Sequence, residues 1–369
     1  MIKVFEVSSD TNIGGAGKCL LILLKEMDRS RFDITAVLPE NSLLKPLVEE
    51  LGVRVIEVSG IADKSLDWSA VKELKELFRR EKPDIVHTHA SMSARIAAKL
   101  SGCRVVYTRH SVFPPAAAIS HGIGKIINGA VNNFFADRII AVAEAAKDNL
   151  TQTGVSAGKI DVILNGVYPL EKIPDKTELK KRFGVADGEK VISIVARLED
   201  IKGHDYFIEA AKMILDKGYK AKFIIAGTGS YEEHLKQKAK ELELGDKLLF
   251  TGFLKDVDKL MAITDIQVNA SYGTEATSLA LLEGMSLGIP AVVSDFGGNP
   301  GVISNAVNGF IVPKQNSAAL ADCLELILRN DELYAKLSAG AEKVFGEKFT
   351  AQIMTKNTER VYESLIQDR

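Results

Sequence analysis

Two carboxylates, Glu275 and Glu283, stand eight positions apart, with only apolar or small residues between them. Leu279, Leu282 and Leu287 read as the buried stripe of a helix that has Glu275 in its first turn, after the turn-prone Tyr272-Gly273-Thr274. On such a helix the carboxylates lie about 12 Å apart along the axis, too far to serve one ligand atom. A carboxylate at a helix mouth is placed to accept from ligand hydroxyls, and the amides there, those of Ser278 and Leu279, can face an anion.

Arg197 and Lys202 directly follow the apolar run Val191–Val195. Cations at the carboxyl end of a strand can grip a diphosphate, Arg with a planar fork and Lys as a point charge. They would stabilise a leaving group that gains negative charge as its bond breaks. Gly14 and Gly15 sit between a first strand and a helix, where bare backbone and helix amides suit an anion. This is neither a dinucleotide nor an ATP loop, since Leu20 takes the third Rossmann glycine's place and Cys19 the Walker Ser/Thr's. Gly227 and Gly229 follow another strand and permit close approach of a nucleotide or simply a tight turn. His110 lies just past Val105–Thr108 and can bond a sugar hydroxyl or take part in proton transfer. His87 and His89 alternate on one strand face and lack an apparent third metal ligand. Asp256-Val-Asp258 has the look of a metal-binding D-x-D, but reads better as a helix N-cap followed by a first-turn acid.

Strands and helices must carry these groups. Short β-rich runs (Ile2–Val7, Ile34–Leu38, Val53–Val58, Ile85–His87, Val105–Thr108, Ile139–Val142, Val162–Leu164) alternate with helical patterns such as Leu20–Met27, Val71–Arg80 and Ala94–Leu100. Near Val167–Asp187 prolines and charges mark a domain edge. Alternation then restarts with strands at Val191–Val195, Phe223–Ala226, Leu248–Phe250 and Ile289–Ser294. This pattern predicts an α/β chain of two doubly wound parallel sheets, with ligands at the carboxyl ends of strands. The segment Ile119–Phe135 carries apolar residues at helical period opposite Gly122, Gly124, Asn128, Asn132 and Asn133. Lacking the cations of an interfacial helix, it is expected to pack into the core rather than touch a membrane.

At 369 residues, 26% charged, 46% hydrophobic and net charge −2, the composition is that of a globular protein without a basic field for nucleic acid. Three scattered cysteines fit reduced thiols in a cytosol. Met1-Ile-Lys-Val-Phe opens a strand rather than a signal peptide, and no apolar run is long enough to span a bilayer.

The E-x7-E spacing resembles the signature of retaining glycosyltransferases of the group 1 or family 4 type. Ala196-Arg197-Leu198…Lys202-Gly203, Ala226-Gly-Thr-Gly229, Ser294-Asp-Phe-Gly-Gly298 and Val307-Asn-Gly309…Val312-Pro313 stand in that family's order and spacing. The resemblance implies a GT-B fold, two Rossmann-like domains facing a central cleft. Residues 1–167 would form the acceptor-side domain, with a C-terminal helix (350–369) packing back on it, and 168–349 the nucleotide-sugar-binding domain. Asn165-Gly-Val167 matches the family's hinge.

It further implies that Glu275 contacts the transferred sugar, Glu283 holds the ribose, Arg197 and Lys202 bind the diphosphate, and His110 and the Gly14–Gly15 pair approach the donor. The reaction would be transfer of a hexose from a nucleotide diphosphate sugar to a glycan or lipid-linked hydroxyl acceptor. It would need no metal or other cofactor. The setting would be surface polysaccharide assembly in the cytoplasm or peripherally at the inner membrane face. Where many relatives have Glu-Gly-Phe-Gly-Leu, this chain has Glu275-Ala-Thr-Ser-Leu279, so sugar preference does not carry over. The alternatives are a nucleotide-sugar 2-epimerase on the same architecture and a non-catalytic two-lobed sugar-binding protein.

Overall fold

Runs of Val, Ile and Leu covered on both faces become the strands of two parallel sheets. The computed structural model describes residues 1–62 and 65–367. Strands β1 (Ile2–Ser8), β2 (Phe32–Pro39), β3 (Arg54–Val58), β4 (Ile85–His89), β5 (Arg104–Arg109), β6 (Arg138–Ala141) and β7 (Ile160–Val162) form a seven-stranded sheet ordered β3-β2-β1-β4-β5-β6-β7. Strands β8 (Lys190–Val195), β9 (Ala221–Ala226), β10 (Leu248–Phe250), β11 (Ile266–Asn269), β12 (Ala291–Ser294) and β13 (Gly309–Val312) form a six-stranded sheet ordered β10-β9-β8-β11-β12-β13. Strand order reverses between β1 and β4 and again between β8 and β11. Crevices at such switch points are where doubly wound sheets bind ligands.

The chain divides into two units, one running from Met1 to Gly166 and resuming at Ala351, the other Val167–Thr350. The C-terminal helix Ala351–Gln367 belongs to the first because its apolar stripe is complementary to that unit's core. Met354, Val361, Tyr362 and Leu365 join Leu20, Leu24 and Phe32 in one buried cluster. Tyr362 meets Phe32 edge-on with centroids 5.9 Å apart, and Glu359 accepts the Asp28 amide at 2.8 Å. No helix among the described residues is long and apolar enough to cross a membrane.

Strands β11 and β13 escape the sequence pattern. Gln267 and Asn269 interrupt the apolar run of β11, and β13 opens on a glycine. The expected core packing of Ile119–Phe135 is overturned. In the helix Gly122–Phe134 only Gly129 is buried, whereas Ile123, Ile126 and Phe134 are 75%, 70% and 68% exposed. The small and amide residues form the docked face instead. A Cβ on Gly129 would lie 2.2 Å from the Gly154 carbonyl oxygen, an approach only glycine permits. Asn128 donates to the Thr153 carbonyl at 2.7 Å, and the Asn132 amide oxygen accepts from Arg95 at 3.1 Å. The helix is therefore amphipathic in the inverse sense, polar side in and apolar side out.

Candidate active site

In the second unit the loops after β8 and β11 meet at the switch point. Lys202 ends the loop after β8, and its ammonium donates to the Glu275 carboxylate at 3.1 Å and to the Thr274 carbonyl at 2.8 Å. Both side chains are nearly buried, 12% and 10% exposed. The same Glu275 oxygen, Oε2, accepts from Asn269 Nδ2 and Ser271 Oγ, each at 3.2 Å. One carboxylate oxygen thus holds three donors, while Oε1 is left by the described residues for a further one. Lys202 has three N–H groups and spends two here, leaving one to offer an anion. Arg197, in the same loop, is exposed, and its guanidinium makes no ion pair among the described residues.

Neighbouring segments fix this arrangement. Gly297 has φ +59°, and a Cβ there would fall 2.0 Å from the Glu275 carbonyl oxygen. That carbonyl also accepts the Gly298 amide at 3.1 Å. Ser294 Oγ donates to the Ser271 carbonyl at 2.5 Å, and Asn299 donates to the Ser294 carbonyl at 3.2 Å. The Ser294–Gly298 motif therefore clamps the backbone of Glu275.

The expectation that Glu275 occupies a helical first turn does not hold. The helix is Leu279–Ser286, capped by Ser278, whose hydroxyl accepts the Leu281 amide at 3.3 Å. Glu275 precedes it in the loop after β11. Ser278 competes for the N-terminal position because its side chain can satisfy a free amide, which Glu275 cannot do from there. Glu283 is half-buried within the helix. The axial-rise estimate of the separation of Glu275 from Glu283 therefore does not apply.

Gly227 and Gly229 do allow close approach, but to protein backbone. A Cβ at these positions would lie 2.0 Å from the Ala196 carbonyl oxygen and 2.1 Å from that of Leu198. Leu198 donates its amide to the Thr228 carbonyl at 2.9 Å and accepts that of Tyr231 at 2.9 Å. The glycine loop thus braces the segment that carries Arg197. Gly14 and Gly15 differ, because a Cβ on either would meet nothing within 4 Å among the described residues. Gly14 occupies the N-cap of Gly15–Glu26 without a side-chain cap, so that helix end presents open amides.

In the first unit a polar network lies beneath the β1/β4 switch point. Glu6 of β1 is fully buried and lies in register with His87 of β4. Glu6 Oε1 accepts from the Tyr362 hydroxyl at 2.6 Å. Its Oε2 lies 3.0 Å from His87 Nδ1 and 3.1 Å from His89 Nε2. His87 Nε2 meets Thr108 Oγ1 at 2.6 Å, and His89 Nδ1 meets His110 Nε2 at 2.7 Å. Burial pushes the Glu6 pKa up, but His87 and His89 outweigh it and hold the carboxyl below its ordinary range. Burial, with His89 and His87 adding, keeps the half-buried His110 well below the usual histidine value and hence neutral near pH 7. Burial and then Glu6 push Tyr362 well above the usual phenol value.

Glu6, His87 and His89 form a group among the described residues close enough to hold a metal, with donor atoms within 4.8 Å of one another. Each of those donors already has a hydrogen-bond partner inside the network. Asp256 does occupy an N-cap position, but its carboxylate makes no cap bond. It pairs instead with both terminal nitrogens of Arg182, at 2.5 and 3.2 Å. A bidentate charged pair outcompetes a single amide.

Asn269, Ser271, Glu6 and Tyr362 were not singled out by spacing. A signal existed for Glu6, because a carboxylate inside a strand buried on both faces demands partners. Asn269 was hidden because the strand it ends was itself unrecognised.

Residues 175–344 match the model of glycosyl transferases group 1, and residues 13–169 that of glycosyltransferase family 4. An Escherichia coli UDP-Gal:alpha-D-GlcNAc-diphosphoundecaprenol alpha-1,3-galactosyltransferase is 30% identical, over 84% of this chain and 84% of that one. N-acetyl-alpha-D-glucosaminyl L-malate synthase of Bacillus anthracis is 24% identical, over 82% of this chain and 80% of its own length. Among solved structures, Anabaena Alr3699/HepE in complex with UDP-glucose superposes with a TM-score of 0.85 at 22% identity, covering 99% of this chain and 100% of that one. The two Rossmann-like units are those of the GT-B fold. The chain belongs to the group 1/family 4 glycosyltransferases and is a glycosyltransferase enzyme.

Proposed function

We propose that this glycosyltransferase moves a sugar from a nucleotide diphosphate sugar to a hydroxyl acceptor with retention of anomeric configuration, in glycan or surface polysaccharide assembly. The observation that carries the reading is the cluster at the β8/β11 switch point. There a carboxylate is held by Lys202, Asn269 and Ser271, with Arg197 exposed in the same loop as Lys202. Arg197, the remaining Lys202 donor and the amides of Ser278 and Leu279 receive the diphosphate. They stabilise the charge that develops as the glycosidic bond breaks. Glu275 faces the sugar and offers Oε1 to its hydroxyls and to the positive charge at the anomeric carbon. Glu283 accepts from the ribose. Gly227 and Gly229 serve the donor by bracing the Arg197 segment, and the helix end at Gly14 and Gly15 is open to an anion. No divalent metal is needed, because these cations and amides carry the phosphate charge. The departing phosphate helps take the acceptor proton in a front-face route. The UDP-glucose bound by the Anabaena protein supports a nucleotide sugar as donor.

The outward apolar face of Gly122–Phe134 supports an acceptor carried on a lipid and peripheral contact with a membrane from the cytoplasmic side. The E. coli relative is named for a diphosphoundecaprenol-linked acceptor. Thermal-shift measurements against a panel of nucleotide sugars identify the donor. Transfer to GlcNAc-diphospholipid, with the product's anomeric configuration read by NMR, then tests the reaction. An inverted product, or turnover of donor to an isomer with no acceptor present, rejects it.

A further inference from the structure

The hydrogen bonds beneath the β1/β4 switch point form one directed chain that ends on His110. An ionised Glu6 can only accept. His89 Nε2, 3.1 Å from Glu6 Oε2, must therefore carry the proton of that ring. If that is the ring's single proton, His89 Nδ1 is bare and can only accept. Its partner at 2.7 Å, His110 Nε2, must donate to it. The same logic runs through the other branch. His87 Nδ1 lies 2.5 Å from the Tyr362 hydroxyl and 3.0 Å from Glu6 Oε2; with the hydroxyl proton given to Glu6 Oε1, both neighbours accept, so Nδ1 carries the proton and His87 Nε2 accepts from Thr108 Oγ1 at 2.6 Å. Tyr362, from the C-terminal helix, donates to Glu6 Oε1 at 2.6 Å. Every polar atom of the network then has a complementary partner among the described residues, except His110 Nδ1.

We propose that Glu6 acts through His89 as the positioning residue that locks the His110 imidazole in its Nε2–H form, leaving Nδ1 as the acceptor for a substrate hydroxyl. The His89 and His110 rings lie nearly coplanar, with centroids 5.0 Å apart and planes inclined by 23°, as an N–H···N bond in the ring plane requires, so the relay fixes ring orientation as well as tautomer. A histidine left to itself would sample both tautomers, and only one offers a lone pair toward the ligand. The buried carboxylate removes that ambiguity from two residues away. Tyr362 anchors its other oxygen, so the C-terminal helix takes part in setting the group. The substrate half of the proposal rests on the reading of His110 as facing the donor sugar or acceptor; the tautomer half does not.

The test uses the full-length chain labelled with 15N-histidine. Its six histidines are assigned by single substitutions, and the tautomers are read from two-bond nitrogen–proton couplings without any substrate. His110 should show a single Nε2–H form in the wild-type protein. Glu6→Met, which deletes the acceptor but keeps the side-chain length, should scramble His110 between both forms. Glu6→Gln should preserve the wild-type form, since its amide oxygen can still accept from His89 while its NH2 turns to the Tyr362 hydroxyl. In transfer assays kcat/KM should fall roughly tenfold or more in Glu6→Met, the scale of one lost hydrogen bond to substrate, and recover in Glu6→Gln.

A wild-type His110 protonated on Nδ1 overturns the proposal even if Glu6→Met does not fold. So does a Glu6→Met protein that keeps a single Nε2–H form, or stoichiometric metal found on Glu6, His87 and His89. A scrambled tautomer with unchanged turnover removes His110 from the reaction while leaving glycosyl transfer itself untouched.

Discussion

Replacing Lys202 by Met and Arg197 by Ala should separate two roles that the sequence assigns jointly. Lys202 is nearly buried and bonds the equally buried Glu275 carboxylate at 3.1 Å. Removing one member of a buried pair leaves the other charge uncompensated, at a cost of about 3–5 kcal/mol. Asn269 and Ser271 still donate to the same oxygen, so the low end, about 3 kcal/mol, is expected. For a unit the size of Val167–Thr350, each kcal/mol moves Tm by about 2–4 °C, so Lys202→Met should lower it by roughly 6–12 °C. Glu275→Gln added to Lys202→Met should restore part of this loss, because the orphaned charge is gone. Arg197 is exposed and holds no ion pair among the described residues, so Arg197→Ala should leave Tm within about 1 °C. Its kcat should nevertheless fall about a hundredfold, the loss expected for one preorganised donor to a developing anion. Circular dichroism melting and initial-rate transfer assays on the same preparations check both halves. Unchanged stability in Lys202→Met would refute the buried-pair argument, and near wild-type turnover in folded Arg197→Ala would refute the leaving-group assignment.

His204 supplies a pH test. Burial, with Lys202 adding, lowers its pKa from 6.5 to about 4, and neither ring nitrogen has a partner among the described residues. Its contribution is therefore complete above pH 6.5 and lost as pH falls to 4. At 1.36 kcal/mol per unit that is about 3 kcal/mol. Chemical denaturation at pH 7 and pH 4 should show a smaller acid loss in His204→Leu, and equal losses would contradict it. Transfer should persist in excess chelator; activity abolished by EDTA and restored by manganese would show that the phosphate charge is not carried by protein cations alone. Calorimetry with free nucleoside diphosphate should find weaker binding in Glu283→Gln than in Glu275→Gln, and equal weakening would end the division between ribose and sugar. Ile126→Asp combined with Phe134→Asp should leave Tm near wild type, since both side chains are exposed, but abolish sedimentation with anionic vesicles. Retained sedimentation would place membrane contact elsewhere.

Local chemistry settles much of this molecule. Alternating apolar strands and helices already specify two parallel sheets, because a strand buried on both faces cannot hide its composition. Arg197, Lys202 and His110 are visible as polar groups just beyond such strands, where doubly wound sheets meet their ligands. Capping is harder to read: Ser278 rather than Glu275 opens the helix, a choice between two adequate starts made by one hydroxyl. Partnerships are harder still, because they depend on strand order. The Lys202–Glu275 pair joins positions 73 apart and the Tyr362–Glu6 bond positions 356 apart, and no periodicity encodes either distance. The inverse amphipathic helix makes the same point. Its sequence records an apolar and a polar face, but the docked face was decided by the glycine contact between Gly129 and Gly154 and by Arg95 seeking the Asn132 side chain. Composition determines which groups need partners; tertiary structure determines which partners arrive, because only the packed sheet brings distant residues within the few ångströms over which hydrogen bonds and close packing act.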